Sequence, residues 1–531
     1  MPYNLPGPML RTQLYADPDN LFLHDVVLNS CRKFPNKSAL LDTSNSRRFT
    51  YAEYGEIVER LACGLVAAGL QPGEVVAIFL PNSWEFAAAY HASTLAGGFP
   101  TLLNPTYRER EVRYQLENSG AAILITDGPT LGEITVSGLP NLRRVYTTRQ
   151  RAQGTDDFSS LLKPVTTKLP EPAQTSRETI AALPYSSGTT GLPKGVMLSH
   201  YNLIANVYQL LAPHGTQLSA ADTMLCFLPL YHIYGLNVAL NPMLALGATL
   251  VLMPRFNVPQ LLGLLTSEHV TMMPTVPPAL NALNQAAEAG QFPSNHHVAW
   301  VKSGAAPLAP ELARRFTELT GIPVNQGYGM TEASPVTHLG YIAPPTMNRP
   351  TSIGQPLAQT ECRVLDANDC EVALSEPGEL VMRGPQFMLG YWKEPQATAA
   401  VLRDGWYWSG DIVNRDDDNF FYILDRRKEM IKYKGFPVAP AEVEAVLMEH
   451  PAVRDCGVVG RANADAGEIP CAFVVLREGE NSDDAMRKSL CGYVADRLTH
   501  YKQPREIHFV NAVPRTPSGK ILRRELRKNL T

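Results

Sequence analysis

Cysteine is sparse and scattered: eight thiols in 531 residues, at positions 31, 63, 226, 362, 370, 456, 471 and 491, with no CxxC pair. That pattern excludes a zinc ribbon and a disulfide framework, and it suits the reduced thiols of a cytoplasmic protein. An excess of positive charge is also lacking. Lys and Arg number 47 against 51 Asp and Glu, a net charge of −4, so no basic face for nucleic acid is implied and a polyanionic ligand would need cations gathered locally. The N-terminal segment holds Pro, Asp and Asn where a secretory leader needs a continuous apolar stretch, and the closing RKNLT is no peroxisomal address. Thr223–Pro254 has no Asp, Glu, Lys or Arg, yet Pro229, His232, Asn237, Asn241, Pro242 and Gly247 break it. A buried strand, helix and strand is expected there rather than a membrane span.

What is present is ample apolar material, 45% of the chain, in a length that at ~150 residues per domain suggests three to four domain-sized units. From residue 50 onward, apolar runs at Val75–Leu80, Phe99–Leu103 and Ala122–Thr126 alternate with amphipathic stretches at Glu85–Leu95 and Glu109–Glu117. That pattern predicts βα units on a parallel sheet. Thr147–Thr179, polar and without a sustained period, is expected to be a surface connection. Between Gly354 and Phe421 shorter runs are cut by Gly, Pro and Asp, including Asp416, Asp417 and Asp418, which predicts a small all-β portion. A charged cluster, Asp425–Glu429, precedes a fresh alternation: Cys456–Val459, Ala472–Leu476, a helix near Asp484–Leu498, and Ile507–Val510. The expected fold class is α/β. A large N-terminal body of α/β subdomains with a β-barrel-like portion spans residues 1–424, followed by a boundary at 425–428 and a small α+β domain over 429–531.

The segment YSSGTTGLPKG, Tyr185–Gly195, crowds glycines, Ser and Thr hydroxyls and Lys194 together. Glycines let backbone N–H groups approach phosphate oxygens, hydroxyls add donors, and the lysine adds a mobile charge. The spacing is not GxxxxGK[ST], because Lys194 follows Leu192 and Pro193, so a P-loop NTPase is disfavoured.

This loop resembles the phosphate-binding motif of the adenylate-forming superfamily, which includes acyl- and aryl-CoA ligases, luciferases and adenylation domains of nonribosomal peptide synthetases. Four further blocks follow in that family's order: QGYGMTE (326–332), WSGD (408–411), DRRKEMIKYKG (425–435) and PRTPSGK (514–520). Five ordered blocks are far more specific than one motif. The resemblance implies an ATP-dependent carboxylic acid:CoA ligase that forms an acyl-adenylate, with ATP, Mg²⁺ and CoA as cofactors and co-substrates. It implies no nucleic-acid partner.

By this resemblance, Ser186, Ser187, Gly188, Thr189, Thr190, Gly191 and Lys194 would cradle phosphate. Gln326, Gly327, Tyr328, Gly329, Asp411, Ile423 and Arg426 would bind the AMP portion, with Asp411 accepting the ribose hydroxyls and Tyr328 stacking on adenine. Thr331 would meet the α-phosphate, Glu332 would hold Mg²⁺, and His232 in PLYHIYG would lie between phosphate and acyl group. Lys520 would serve adenylation. After a swing of the mobile C-terminal domain about Lys428, Lys432, Lys434 and Gly435 would serve the CoA step. Pro437 stands where related ligases often carry Gln. The acyl pocket of 4-coumarate-CoA ligase-like enzymes is matched by Tyr234, Val238, Ala305, Gly329, Pro335 and Val336, with Lys302 where an apolar residue is usual. The GELVMRG segment, Gly378–Gly384, lacks the cysteine of the plant enzymes' corresponding box. On strand alternation Lys302 shares a face with Trp300 and Gly304. An aryl or a medium-chain acid would fit such a slot. Adenylation for a carrier protein stays open and would require a separate partner, since the chain ends eleven residues after Lys520. Luciferase-type oxygenation stays open too. His296 and His297 sit in a polar turn without Cys and are read as solvated loop, not a metal site.

Overall fold

Apolar runs without polar alternation make strands that are buried on both faces, as in a parallel sheet covered by helices. Val75–Phe79, Phe99–Leu102 and Ile123–Thr126 are buried at every position. With Arg144–Thr147 and Asp156–Asp157 they form an all-parallel five-stranded sheet. The structure is a computed structural model describing residues 21–171, 175–186, 192–212, 218–340, 349–426, 429–434, 436–463, 466–516 and 519–530.

A nine-stranded sheet runs, edge to edge, Gln355–Pro356, Val336–Leu339, Val324–Gly329, Trp300–Ser303, Met272–Thr275, Thr223–Cys226, Thr249–Leu252, Ser38–Asp42 and Arg47–Thr50. Its interior, from Val324–Gly329 to Ser38–Asp42, is parallel and its two edges are antiparallel. The uncharged stretch folds as expected, with Thr223–Cys226, a π-turn Gly235–Leu240 continuing into the helix Asn241–Leu246, and Thr249–Leu252. Gly247, at φ 81°, ends that helix in the left-handed conformation. Among the described residues no helix is long and apolar enough to cross a membrane.

One sequence expectation is corrected. The connection Thr147–Thr179 is not merely a surface strap, because Phe158–Leu162 forms a 3-10 turn that buries Phe158 and Leu161. The helix Tyr51–Ala67 presses Gly64 against it so closely that a Cβ there would lie 2.0 Å from the Leu161 carbonyl oxygen.

The strands of 361–426 form a curled antiparallel sheet, the half-barrel portion, whose last pair joins Trp406–Arg415 to Phe421–Arg426. That strand stays paired through Arg426, opposite Asp411, across a register shift between Ile412 and Val413, so Asp425 and Arg426, read from the sequence as the start of a boundary, are still sheet residues. The C-terminal unit has its own sheet: Phe436–Val438, Ile431–Tyr433, Gly467–Leu476 and Val453–Asn463, with Glu506–Phe509 parallel to Gly467–Leu476. Its own apolar cluster includes Val443, Leu447, Val458, Val474 and Leu490.

Candidate active site

Parallel strands collect ligands at their carboxyl ends. Here Thr275, Ser303 and Gly329 close three adjacent parallel strands, and beyond them opens a cavity of about 2060 Å³ bounded on its far side by the C-terminal unit. The hairpin Tyr185–Ser186 and Lys194–Ser199 opens onto it, with Lys194 opposite Ser186. Tyr185, Ser186 and Pro193 line the cavity. Ser187, Gly188, Thr189, Thr190 and Gly191, the tip of the expected phosphate loop, lie outside the described residues, as do Lys428 and Gly435. Lys194 sits behind the lining, its amine 5.5 Å from the centre of the Tyr391 ring.

On one wall Asp411, nearly fully buried, accepts a hydrogen bond from the Tyr328 hydroxyl at 2.5 Å and pairs with Arg426 Nε at 3.1 Å. The Tyr328 ring packs against His338 at 5.8 Å. Ile423, Gly327, Gly329 and Thr331 line the same wall. Gln326 spends its amide on the protein itself: Oε1 accepts from Leu308 N and Nε2 donates to the Pro350 carbonyl. The Tyr391 hydroxyl donates to Glu332 Oε1 at 2.8 Å. His232 Nδ1 accepts from Tyr234 N at 3.2 Å, and burial pushes its pKa down to about 4. It is therefore a neutral ring with Nε2 left to carry the proton.

The last basic segment reaches this wall. Lys520 lines the cavity, held by Thr516, whose N–H donates to the Lys520 carbonyl and whose hydroxyl accepts from Lys520 N. Burial, then the nearby Arg426, lowers its pKa to about 8 against the pull of Glu429 and Asp411. Beside it Arg523 is clamped by Glu444 at 2.7 and 2.8 Å and by Glu429 at 2.9 Å. Sequence reasoning missed this trio, since its members are far apart in the chain. Asp425 Oδ2 accepts from Ala441 N at the first turn of Pro440–Met448, tying the curled sheet to the C-terminal unit. Lys432 is on the cavity's rim and exposed. Lys434 is exposed on the hairpin turn, in the left-handed conformation at φ 49°, and is not part of the lining.

The opposite arm of the cavity is apolar with one amine, that of Lys302, at its end. Tyr234, Val238, Lys302, Ala305, Gly329, Pro335 and Val336 all line it. The Tyr234 hydroxyl donates toward the Thr275 and Lys302 carbonyls, and Gly304 leaves the ring its space, a Cβ there lying 3.1 Å from it. Gly329 tolerates no side chain, because a Cβ would stand 2.0 Å from the Pro335 oxygen. Lys302 does not snorkel out to bulk water. Its amine lies 5.3 Å over the Trp300 ring and 3.3 Å from the Gly340 carbonyl, and burial pushes its pKa down to about 7. Next to it Ser303 Oγ, also in the lining, is buried with no hydrogen-bond partner.

A cavity joining a carboxylate–tyrosine–arginine wall to a largely apolar arm, with a lysine between them on the C-terminal unit, suits a nucleotide-dependent acid-activating enzyme. The AMP-binding enzyme profile matches residues 27–392, and the AMP-binding enzyme C-terminal domain profile matches 442–520. 4-coumarate–CoA ligase 5 of Oryza sativa subsp. japonica is 38% identical over 97% of this chain and 96% of its own. 4-coumarate–CoA ligase 2 of Solanum tuberosum is 36% identical over 97% and 94%. Among solved structures, the anthranilate CoA ligase AuaEII in complex with anthranoyl-AMP superposes with a TM-score of 0.87, at 26% identity over 96% of this chain and 97% of that one. The o-succinylbenzoate CoA synthetase of Bacillus subtilis in complex with its acyl-adenylate gives 0.80, at 30% identity over 95% and 98%. The chain belongs to the AMP-binding enzyme family, within the adenylate-forming superfamily. It is an AMP-forming acid–thiol ligase that works through an acyl-adenylate, with ATP and CoA as substrates. The family's metal is Mg²⁺, and the donor set fits it, because a single cavity carboxylate such as Glu332 plus nucleotide phosphates is what that ion takes.

Proposed function

We propose that the enzyme converts an aromatic acid of cinnamate size, carrying a polar group at the end remote from its carboxylate, into the CoA thioester. The observation that carries this reading is Lys302, an amine buried at the wall of an otherwise apolar slot beside the Tyr234 ring. A flat ring suits the space over Gly304 and Gly329, and an amine with few partners discriminates strongly for a substrate oxygen. The names of the 4-coumarate–CoA ligases of rice and potato agree with it.

In the first half-reaction a carboxylate oxygen attacks the α-phosphorus of ATP and pyrophosphate leaves. Lys520 supplies positive charge to the oxygens that gain it, Asp411 takes the ribose hydroxyls, and Tyr328 packs on the base. Glu332 would hold Mg²⁺, whose charge would offset that of the phosphates. His232, neutral, donates from Nε2 toward the reacting group. In the second half-reaction the CoA sulfur attacks the acyl carbonyl and AMP leaves. The body through Arg426 stays fixed and the unit from 429 turns against it, so that Lys520 withdraws while Lys432, Lys434 and Gly435 face the thioester site. The separate core of the C-terminal unit supports such a motion.

The test is a panel of acids assayed for pyrophosphate release with and without CoA, in wild type and Lys302→Met. Hydroxylated cinnamates should lead the panel, and the variant should lower their kcat/KM relative to the plain acid by about tenfold. An unchanged ratio removes the role of Lys302. Preference for medium-chain acids refutes the aromatic reading, and turnover only with a carrier-protein thiol, or light from a luciferin, would replace it.

A further inference from the structure

The wall of the acyl arm, Ser334–Val336, is gripped from behind by two asparagines that never touch the cavity. Asn206, in the helix His200–Leu211, is fully buried; its Oδ1 accepts from Val336 N at 3.1 Å and its Nδ2 donates to the Val336 carbonyl at 2.7 Å. One amide side chain thus stands in for a neighbouring strand. Asn237, fully buried in the π-turn that also carries Val238, donates from Nδ2 to the Ser334 carbonyl at 2.5 Å and to Leu203 O at 3.2 Å. Met330 N completes the hold on Pro335 O at 2.9 Å.

An asparagine amide fits equally well flipped, so something must fix its direction. Asn241 Nδ2 donates to Asn237 Oδ1 at 2.7 Å, His91 Nε2 meets Asn241 Oδ1 at 3.0 Å, and the Tyr54 hydroxyl meets His91 Nδ1 at 2.8 Å. Tyr54 and His91 are fully buried on the helices Tyr51–Ala67 and Trp84–Leu95. The relay has one self-consistent polarity. Tyr54 donates to Nδ1, the Nε2–H donates to Asn241, Asn241 donates to Asn237, and Asn237 donates to the wall. Reversing any link leaves two donors or two acceptors face to face in the core, which a buried network does not tolerate.

Taking the acid-activating reading as given, we propose that Asn206 and Asn237 are the positioning residues that set the acyl wall, and that Tyr54, His91 and Asn241 hold Asn237 in the donating orientation. Acid selectivity is thereby controlled from a helix layer behind the site. A wall shifted toward Gly329 by a fraction of an ångström narrows the slot there, since the Pro335 oxygen already excludes a Cβ.

The experiment compares wild type, His91→Leu and His91→Gln for KM of acid, KM of ATP, and the kcat/KM ratio between a flat aromatic acid and its ortho-substituted analogue. Glutamine offers one acceptor and one donor in the imidazole's sense; leucine offers neither. His91→Leu should raise the acid KM and compress the selectivity ratio by about tenfold while leaving the ATP KM within about twofold, and His91→Gln should restore most of both. Unchanged acid parameters in a folded Leu variant, or equal losses in Gln and Leu, overturn the proposal. Should His91→Leu not fold, Tyr54→Phe removes one hydroxyl and keeps the shape. A shift of about twofold to threefold in the same direction is then expected, and no shift overturns the relay. Wild type releasing no pyrophosphate with any acid would instead refute the ligase reading itself.

Discussion

Lys520 offers the sharpest pH signature. Its amine shares the cavity with Arg426, and burial with that like charge lowers its pKa to about 8. Only the ammonium form supports charge building up at the α-phosphorus, so the free enzyme is competent below that pKa and loses competence above it. With a plain aromatic acid, which makes no demand on Lys302, kcat/KM for ATP, read as pyrophosphate release, should be level up to about pH 8 and then fall tenfold per unit toward pH 10. Bound ATP brings negative charge that favours the ammonium form, so the break in kcat should lie higher than the break in kcat/KM. Lys520→Ala should lower the plateau by ~10²–10³, about 3–4 kcal/mol of transition-state stabilisation. Lys520→Arg keeps a charge that does not titrate in this range; its profile should lie lower and run flat through pH 8. A wild-type profile without the break, or the same break in the Arg variant, refutes the assignment.

Other outcomes follow from single contacts. Asp411→Asn leaves Arg426 without its charge partner and weakens the acceptor of the Tyr328 hydroxyl, and should raise the ATP KM by about 10- to 100-fold. Gly329→Ala drives a methyl into the Pro335 carbonyl and should cost about 1–3 kcal/mol, read as a roughly 5- to 150-fold loss in kcat/KM for the acid. Arg523→Met strands Glu444 and Glu429 and should destabilise the C-terminal unit by about 3–5 kcal/mol in calorimetry. Burial already raises the Glu444 pKa, so the stranded carboxylate costs most when ionised, and the variant should regain stability as pH falls through the carboxylate range.

Much of the body was legible because its chemistry is local. Val75–Phe79 and Ile123–Thr126 read as buried strands since each position faces the core, and the glycine-rich segment Tyr185–Gly195 announces itself by composition. The 3-10 turn Phe158–Leu162 was not legible, since two apolar residues three apart show no period. The charged cluster at 425–429 reads as the start of a domain boundary, yet Asp425 docks a helix, Arg426 pairs with Asp411, and Glu429 holds Arg523. Those partners come from distant segments that only the tertiary fold assembles. Asn237 and Asn241 read simply as interruptions that rule out a membrane span. Their orientation toward the acyl wall depends on His91 and Ser334, which no local pattern connects to them. Gln326 sits in a nucleotide motif but spends its amide on Leu308 and Pro350.

The division of labour between two lysines is tested most directly by supplying the intermediate. Wild type, Lys520→Ala and Lys432→Ala would each be given synthetic acyl-adenylate with CoA, and separately acid with ATP and no CoA. Lys520→Ala should form thioester from the adenylate at close to the wild-type rate while failing to release pyrophosphate, and Lys432→Ala should show the converse. Both variants failing both assays to the same degree would contradict the account.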